Sequence, residues 1–319
     1  MRSLSRRLAA LVAAAALALS AAACGSSGST SASGGPGGTA AATGTFPASI
    51  TTAIGVVHVR SRPTVIVSLS PTATEMLYAI GAGSQVKAVD SLSDYPRHAP
   101  VSKLSAFQPN LEAIVAYKPD LVVISNNING LAKHLAAFSI PVLYLPAPTG
   151  LSGVYSEFDQ LGRATGHLGQ AEREDAALRT QIQQIVASVP KHAKPLTYYY
   201  ELDQTYYSVT SSTFVGGLLA MLGMKSIADT ATGAASSGGY PQLSSEYIVK
   251  ADPNYVILAD TVCCHQDAAT VAKRPGWSGL PAVKAGQIIA LNDDIASWWG
   301  PRIVDLLAAV ASSISRGAG

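Results

Sequence analysis

The segment Asn110–Ser125, NLEAIVAYKPDLVVIS, returns as Ser244–Ala259, SSEYIVKADPNYVILA, aligned without a gap at a fixed offset of 134 residues (110 against 244). In this register Glu112 meets Glu246, Ile114 meets Ile248, Val115 meets Val249, Pro119 meets Pro253, Asp120 meets Asn254 and Val122 meets Val256. In the first copy apolar residues at helical spacing (Leu111, Ile114, Val115) precede the proline, and β-branched residues follow it. Proline has a fixed φ and no N–H, and it disfavours the helical region for the residue before it. Each copy therefore predicts a short helix, a break, and a strand covered on both faces. A single repeat at this distance is too long a period for a solenoid and predicts two similar α/β lobes. Two lobes leave a cleft between them, where small ligands usually bind.

Working outward to the N-terminus, Arg2, Arg6 and Arg7 precede an Ala- and Leu-rich apolar run that ends in Ser20-Ala21-Ala22-Ala23 before Cys24. Residues 1–23 read as a secretory signal, too short in their apolar part to span a bilayer comfortably. A cysteine directly after small residues resembles a bacterial lipobox, with Cys24 as the lipidated first residue of the mature protein. Residues 24–54 begin with Gly, Ser, Ala and Thr and almost no charge, which reads as a flexible tether. Residues 55–319 remain for the folded part, enough for a substantial core. The net charge of +2 and the absence of a basic run after Arg7 argue against a nucleic-acid partner.

Strand signals at Val65–Leu69, Val86–Val89, Val142–Leu145, Thr197–Leu202 and Gln287–Leu291 alternate with helical ones, which argues for mostly parallel sheets. Ser70-Pro71 is a helix start by capping chemistry. From Ser152 to Val189 there is no proline, and apolar residues recur at helical spacing. This predicts either one long helix or two with a break near Gly166–Gly169, joining the lobes stiffly and leaving little hinge motion. The domain reading is thus an N-terminal lobe at 55–148, a connecting backbone helix at 149–190 and a C-terminal lobe at 191–319.

Beyond Cys24 the only cysteines are the adjacent Cys263 and Cys264. Three states fit an extracytoplasmic chain: a vicinal disulfide, two thiols, or soft-metal ligands together with His265. No Gly-x-Ser-x-Gly elbow, His-Glu-x-x-His pair or phosphate loop is present, so no enzyme activity is expected. His98, His134, His167 and His265 are not spaced as ligands on one element.

The chain resembles the helical-backbone (class III) substrate-binding proteins of ABC importers. The resemblance is carried by Ile66-Val67-Ser68-Leu69-Ser70-Pro71 with Thr74-Glu75, Ser93-Asp94-Tyr95-Pro96, Asn110-Leu111-Glu112 with Lys118-Pro119-Asp120, and Pro301-Arg302-Ile303, and covers residues 63–316. Within that family the Ser-Asp-Tyr-Pro turn points to the members that bind vitamin B12. The resemblance implies a monomeric extracytoplasmic protein, anchored through Cys24, that delivers a corrinoid to a permease and its ATPase. Iron-siderophore or haem capture by the same fold is the alternative. No cofactor is expected apart from the transported ligand.

The same resemblance implies roles for particular residues. Glu112 and Glu246 would dock onto permease arginines, although each is also an ordinary carboxylate in a helix first turn. Tyr95, Phe107, Tyr206, Tyr207, Tyr240, Asp294 and Trp298 would line the ligand cleft. Phe107 could instead be core, Tyr206 and Tyr207 sit in an alternating strand pattern so that one of them should pack inward, and Trp298 with Trp299 could be a hydrophobic staple. Asp293 and Asp294 could cap a turn or accept hydrogen bonds from a ligand, and Arg302 could pair with a carboxylate or face an anionic ligand. The Cys263-Cys264-His265 loop follows the strand of the second copy, so it is expected at the cleft rim.

Overall fold

The computed structural model describes residues 44–317. The signal segment, Cys24 and most of the expected tether lie outside the described residues. The chain enters on a hairpin, β1 (Ala48–Thr52) and β2 (Gly55–Val59), paired antiparallel. Residues 48–54, expected in the tether, belong instead to this hairpin. Alternation places Ile50 and Val59 in the core, a period-two signal too short to stand out beside the low-complexity run before it.

The first lobe is β3 (Ile66–Leu69), α1 (Pro71–Ala79), β4 (Val86–Val89), α2 (Leu111–Val115), β5 (Leu121–Ile124), α3 (Leu131–Ala137) and β6 (Val142–Tyr144). Then come α4 (Leu151–Thr165) and α5 (Leu168–Ser188). The second lobe is β7 (Leu196–Glu201), α6 (Phe214–Met221), β8 (Met224–Ser226), α7 (Ser245–Ala251), β9 (Tyr255–Leu258), α8 (Ala268–Ala272), α9 (Pro281–Lys284), β10 (Ile288–Ala290), α10 (Asp293–Ser297) and α11 (Ile303–Gly317).

Both four-stranded sheets are parallel, and their strand orders, β4-β3-β5-β6 and β8-β7-β9-β10, are equivalent. The repeat behaves as its sequence predicts. Asn110 and Ser244 cap α2 and α7 by accepting the N–H of Ala113 and Tyr247. Lys118 (φ 50°) and Asp252 (φ 48°), each just before its proline, turn the chain through the left-handed region. The strands that follow are buried along their whole length. The Asp120 carboxylate accepts the Thr64 and Val65 N–H groups, and the Asn254 amide oxygen accepts that of Thr197. In both lobes this side chain pins the start of the neighbouring strand.

The connection differs from a single helix. Gly166 (φ 78°) ends α4, and α5 folds back along it, with the Arg179 guanidinium 3.5 Å from the centre of the Tyr155 ring. The 149–190 backbone is therefore a helical hairpin in which α5 alone, at 1.5 Å per residue about 30 Å long, spans toward the second lobe. A Cβ on Gly162 would stand 2.7 Å from that of Ala171, so the close crossing of the two helices requires glycine there.

One cluster of buried side chains runs through both lobes, from Met76 and Leu77 in α1 through Phe158 and Leu161 in α4 and Leu178 and Ile182 in α5 to Tyr198, Tyr200, Leu306 and Val310. Two further clusters cover the opposite faces of the sheets, around Ile114 and Val122 in one lobe and around Tyr199, Val256 and Trp277 in the other. The lobes share a core, which is the physical basis for a stiff junction.

Candidate ligand cleft

In a parallel sheet the loops after the strands' carboxyl ends share one edge, and ligands bind there. Loops after β3 and β4 in the first lobe meet the segment after β10 from the second. Their contact is built on Arg302. Its Nε donates to Glu75 Oε2 at 3.0 Å and its second terminal nitrogen donates to Oε1, while its guanidinium lies 4.2 Å from the centre of the Tyr95 ring. Asp294 stands 3.9 Å from the same guanidinium and accepts from Trp298 Nε1 at 3.2 Å. Tyr95, Asp294 and Trp298, picked out separately by sequence, thus form one network across the two lobes.

Burial is the main force on the carboxyls here. It pushes the Glu75 pKa up against the opposing pull of Arg302, and it raises that of Asp294, with the nearby Asp94 charge adding to the rise. One residue further on, Trp299 Nε1 donates to Glu157 Oε2 of α4 at 2.9 Å. Desolvation drives the Glu157 carboxyl up to about 8. Trp298 and Trp299 therefore act as polar clamps to two carboxyls, beyond any packing against α11, and Arg302 pairs with a carboxylate.

Tyr240 is 44% exposed, and its pKa is raised by burial of the rest of its surface. Gly239 sets its position: φ is 94°, and a Cβ there would lie 2.8 Å from Thr213 Cγ2 and 2.9 Å from Thr210 Oγ1. Only glycine turns the Ser-Ser-Gly-Gly-Tyr-Pro loop this tightly against the start of α6. Behind it Tyr200 is buried, donating to the Ala296 carbonyl.

Tyr206 and Tyr207 lie past the end of β7 in a loop and not in the strand that their alternation suggests. Tyr206 (φ 70°) packs inward, stacked on Trp277 with centroids 6.0 Å apart, whereas Tyr207 is 41% exposed. The pair divides as expected, with Tyr206 the packing member. Phe107 is not core. It is 57% exposed on a turn held by Ser105 Oγ, which accepts the Phe107 and Gln108 N–H groups just before α2.

The Cys263-Cys264 loop follows β9 at the same edge, and the two cysteines are disulfide-bonded. Asp293 is not the cap of α10, a role filled by Asn292. Its carboxylate accepts the Val262 and Cys263 N–H groups at 2.8 Å each and so ties the loop to α10. His98 packs edge-on against Tyr78, and His167 is bonded to Arg62.

Of two further buried charged groups, one has no clear mark in the sequence. Glu201, at the end of β7, is fully buried and paired by both oxygens with Arg274, which also lies 4.7 Å from the Trp277 ring centre. Asp260 stands beside them, its pKa raised first by burial and then by the Glu201 charge. No local signal marks Arg274, whose partner is 73 residues away. Glu157 has one: with Val154, Phe158 and Leu161 it falls on the buried stripe of α4.

Glu112 and Glu246 occupy the same second position of α2 and α7, and both are exposed. The Glu246 carboxyl is held below its ordinary range by a backbone N–H and by Ser244.

The family profile described as "Periplasmic binding protein" matches residues 66–295. An uncharacterized ABC transporter substrate-binding lipoprotein of Bacillus subtilis is 28% identical, over 85% of this chain and 87% of that protein. A vitamin B12-binding protein of Pectobacterium atrosepticum is 31% identical, over 77% of this chain and 86% of the relative. Among solved structures, the apo periplasmic heme-binding protein of Roseiflexus sp. RS-1 superposes with a TM-score of 0.69 at 22% identity, covering 80% of this chain and 99% of that one.

Proposed function

The chain belongs to the periplasmic binding protein family and is an ABC-type substrate-binding protein, not an enzyme; from that premise we propose that it captures a corrinoid at the cleft and hands it to the permease while tethered through a lipidated Cys24. The observation that carries the ligand reading is the set of partly exposed aromatic faces at the strand-end edge, Tyr95 and Tyr240 foremost, at 45% and 44% exposure. Aromatic rings left open beside a buried charged floor suit a large, flat, partly apolar ligand, because they cover much area with little loss of rotamer freedom. The kinship with a vitamin B12-binding protein over most of the chain supports the same choice. Glu112 and Glu246 serve as the two docking carboxylates, and the protein works as a monomer.

Absorbance and calorimetric titration of residues 45–319 with cyanocobalamin, cobinamide and haem in parallel tests the ligand. One-to-one corrinoid binding is expected, weakened about tenfold or more by Tyr240→Ala, a loss of about 1.4 kcal/mol. Haem or siderophore binding without corrinoid binding would discard the corrinoid and keep the fold. For the anchor, Cys24→Ser is expected to move the full-length protein from the membrane fraction to the soluble fraction. Unchanged sedimentation with membranes would reject lipidation.

A further inference from the structure

We propose that the first lobe carries, beside Glu112, an apolar socket for a side chain of the permease, and that the second lobe lacks it because its own Tyr247 fills the equivalent place. The inference rests on α2 and α7 being the docking helices and goes beyond it by making the two docking faces unlike.

The duplicated helices keep Glu112 and Glu246 in register but differ on the neighbouring flank. Ala113 corresponds to Tyr247, Ala116 to Lys250 and Tyr117 to Ala251. In the second lobe Tyr247 lies half-buried across the segment after β8, its hydroxyl donating to the Ile227 carbonyl at 2.7 Å and sharing a hydrogen bond with Thr230 at 3.1 Å. In the first lobe the equivalent helix packs over Leu104, in the segment after β4, and alanine leaves that space open. A pocket of about 420 Å³ results, lined by Lys103, Leu104, Ala113, Ala116 and Tyr117. Tyr117 is 40% exposed, and Lys103 is the pocket's one charged lining residue.

Position selects the occupant. The lining residues Ala113 and Ala116 follow Glu112 by one and four positions on α2 and its C-terminal cap, so a partner whose cation meets Glu112 presents its adjoining residues to the pocket. Apolar sockets ringed by polar contacts are where interface binding energy concentrates. A leucine, methionine or phenylalanine beside the permease cation fits the lining chemistry. On the second lobe the same approach meets a tyrosine ring and Lys250, so the two faces accept different permease surfaces. This fixes which lobe faces which surface, a distinction that two equivalent glutamates cannot make.

The test places a photoreactive benzoylphenylalanine at position 108, 117 or 242 of the full-length protein in its own cells, one at a time, with adducts identified by mass spectrometry. Gln108 and Gln242 are exposed and equivalent in the repeat register, four residues before Glu112 and Glu246, so both glutamates stay in place. Adducts with the membrane-spanning subunit of an ABC transporter are expected from all three positions, the one from 117 on an apolar residue. Ala113→Tyr and Ala116→Lys each copy the second lobe. Each is expected to cut the adduct from 117 at least fivefold and leave that from 242 within twofold. Circular dichroism melting of both variants controls for folding. Adducts from 108 and 242 without one from 117, or an adduct from 117 that neither substitution reduces, would overturn the socket and leave the docking glutamates standing. No permease adduct from 108 or 242 would overturn both.

Discussion

Replacing Arg302 by alanine is expected to lower the unfolding free energy by about 3–5 kcal/mol, the usual effect of removing one member of a buried ion pair. The magnitude follows from Glu75, whose side chain is 2% exposed and whose carboxylate takes two hydrogen bonds from Arg302. Without the guanidinium, Glu75 must either stay charged in the core or take up a proton, and its pKa is already raised by burial. The deficit should therefore grow as pH rises above the ordinary carboxylate range, because keeping Glu75 protonated in the fold becomes costlier relative to the unfolded chain, where it is ionised. Urea unfolding of the variant and of Arg302→Ala/Glu75→Gln checks the cause. The double variant should be the more stable of the two, because no buried charge is left unpaired. A loss below about 1 kcal/mol for Arg302→Ala would mean that the pair does not hold the junction. Since Arg302 also lies on the Tyr95 ring, the variant should bind ligand more weakly as well.

Glu157→Gln should act in the opposite direction. The carboxyl rises from 4.5 to about 8 because burial disfavours its ionised form. A pKa raised in the folded state gives a contribution that is fully present below the unfolded value, declines as pH rises from about 4.5, and is lost once pH passes about 8. Glutamine keeps the shape and the oxygen that accepts from Trp299 but has no proton to lose. At pH 8 the variant should be more stable than the parent by about 2–4 kcal/mol, because each pH unit between the unfolded and folded pKa values is worth about 1.4 kcal/mol before local relaxation reduces it. At pH 4 the two should be within about 1 kcal/mol, the size of one altered hydrogen bond. Comparing variant with parent isolates Glu157 from Asp260 and Asp90, which burial also raises. Equal thermal stability at pH 8 would show that Glu157 is ionised at no cost.

Most of the architecture was legible because its signals are local and repeated. The proline break, the capping residues and the β-branched run place β5 and β9 directly after their prolines, and the repetition gives the two-lobed topology. Legibility failed where a residue's role depends on distant partners. Phe107 was open to a core reading because apolar character alone does not say what packs on it. Tyr206 and Tyr207 looked like strand residues, yet the strand stops at Glu201, where the pair with Arg274 takes over. The connector was ambiguous because Gly166 serves equally as a weak point in one helix or as the left-handed end of another. The fold-back of α5, with Arg179 over Tyr155, resolves it.

The sequence by itself determined the lobes, their parallel sheets, the paired carboxylates at one helical position and the family, since each rests on a short periodic pattern or an ungapped repeat. Tertiary structure alone decided which buried charges pair, that Arg302 and Trp299 bind the last segment to Glu75 and Glu157, and that Ala113 leaves open what Tyr247 closes. The reason is physical: these outcomes depend on which surfaces the fold brings together across 142 residues in one case and 227 in another. No pattern within a helix or strand encodes that meeting.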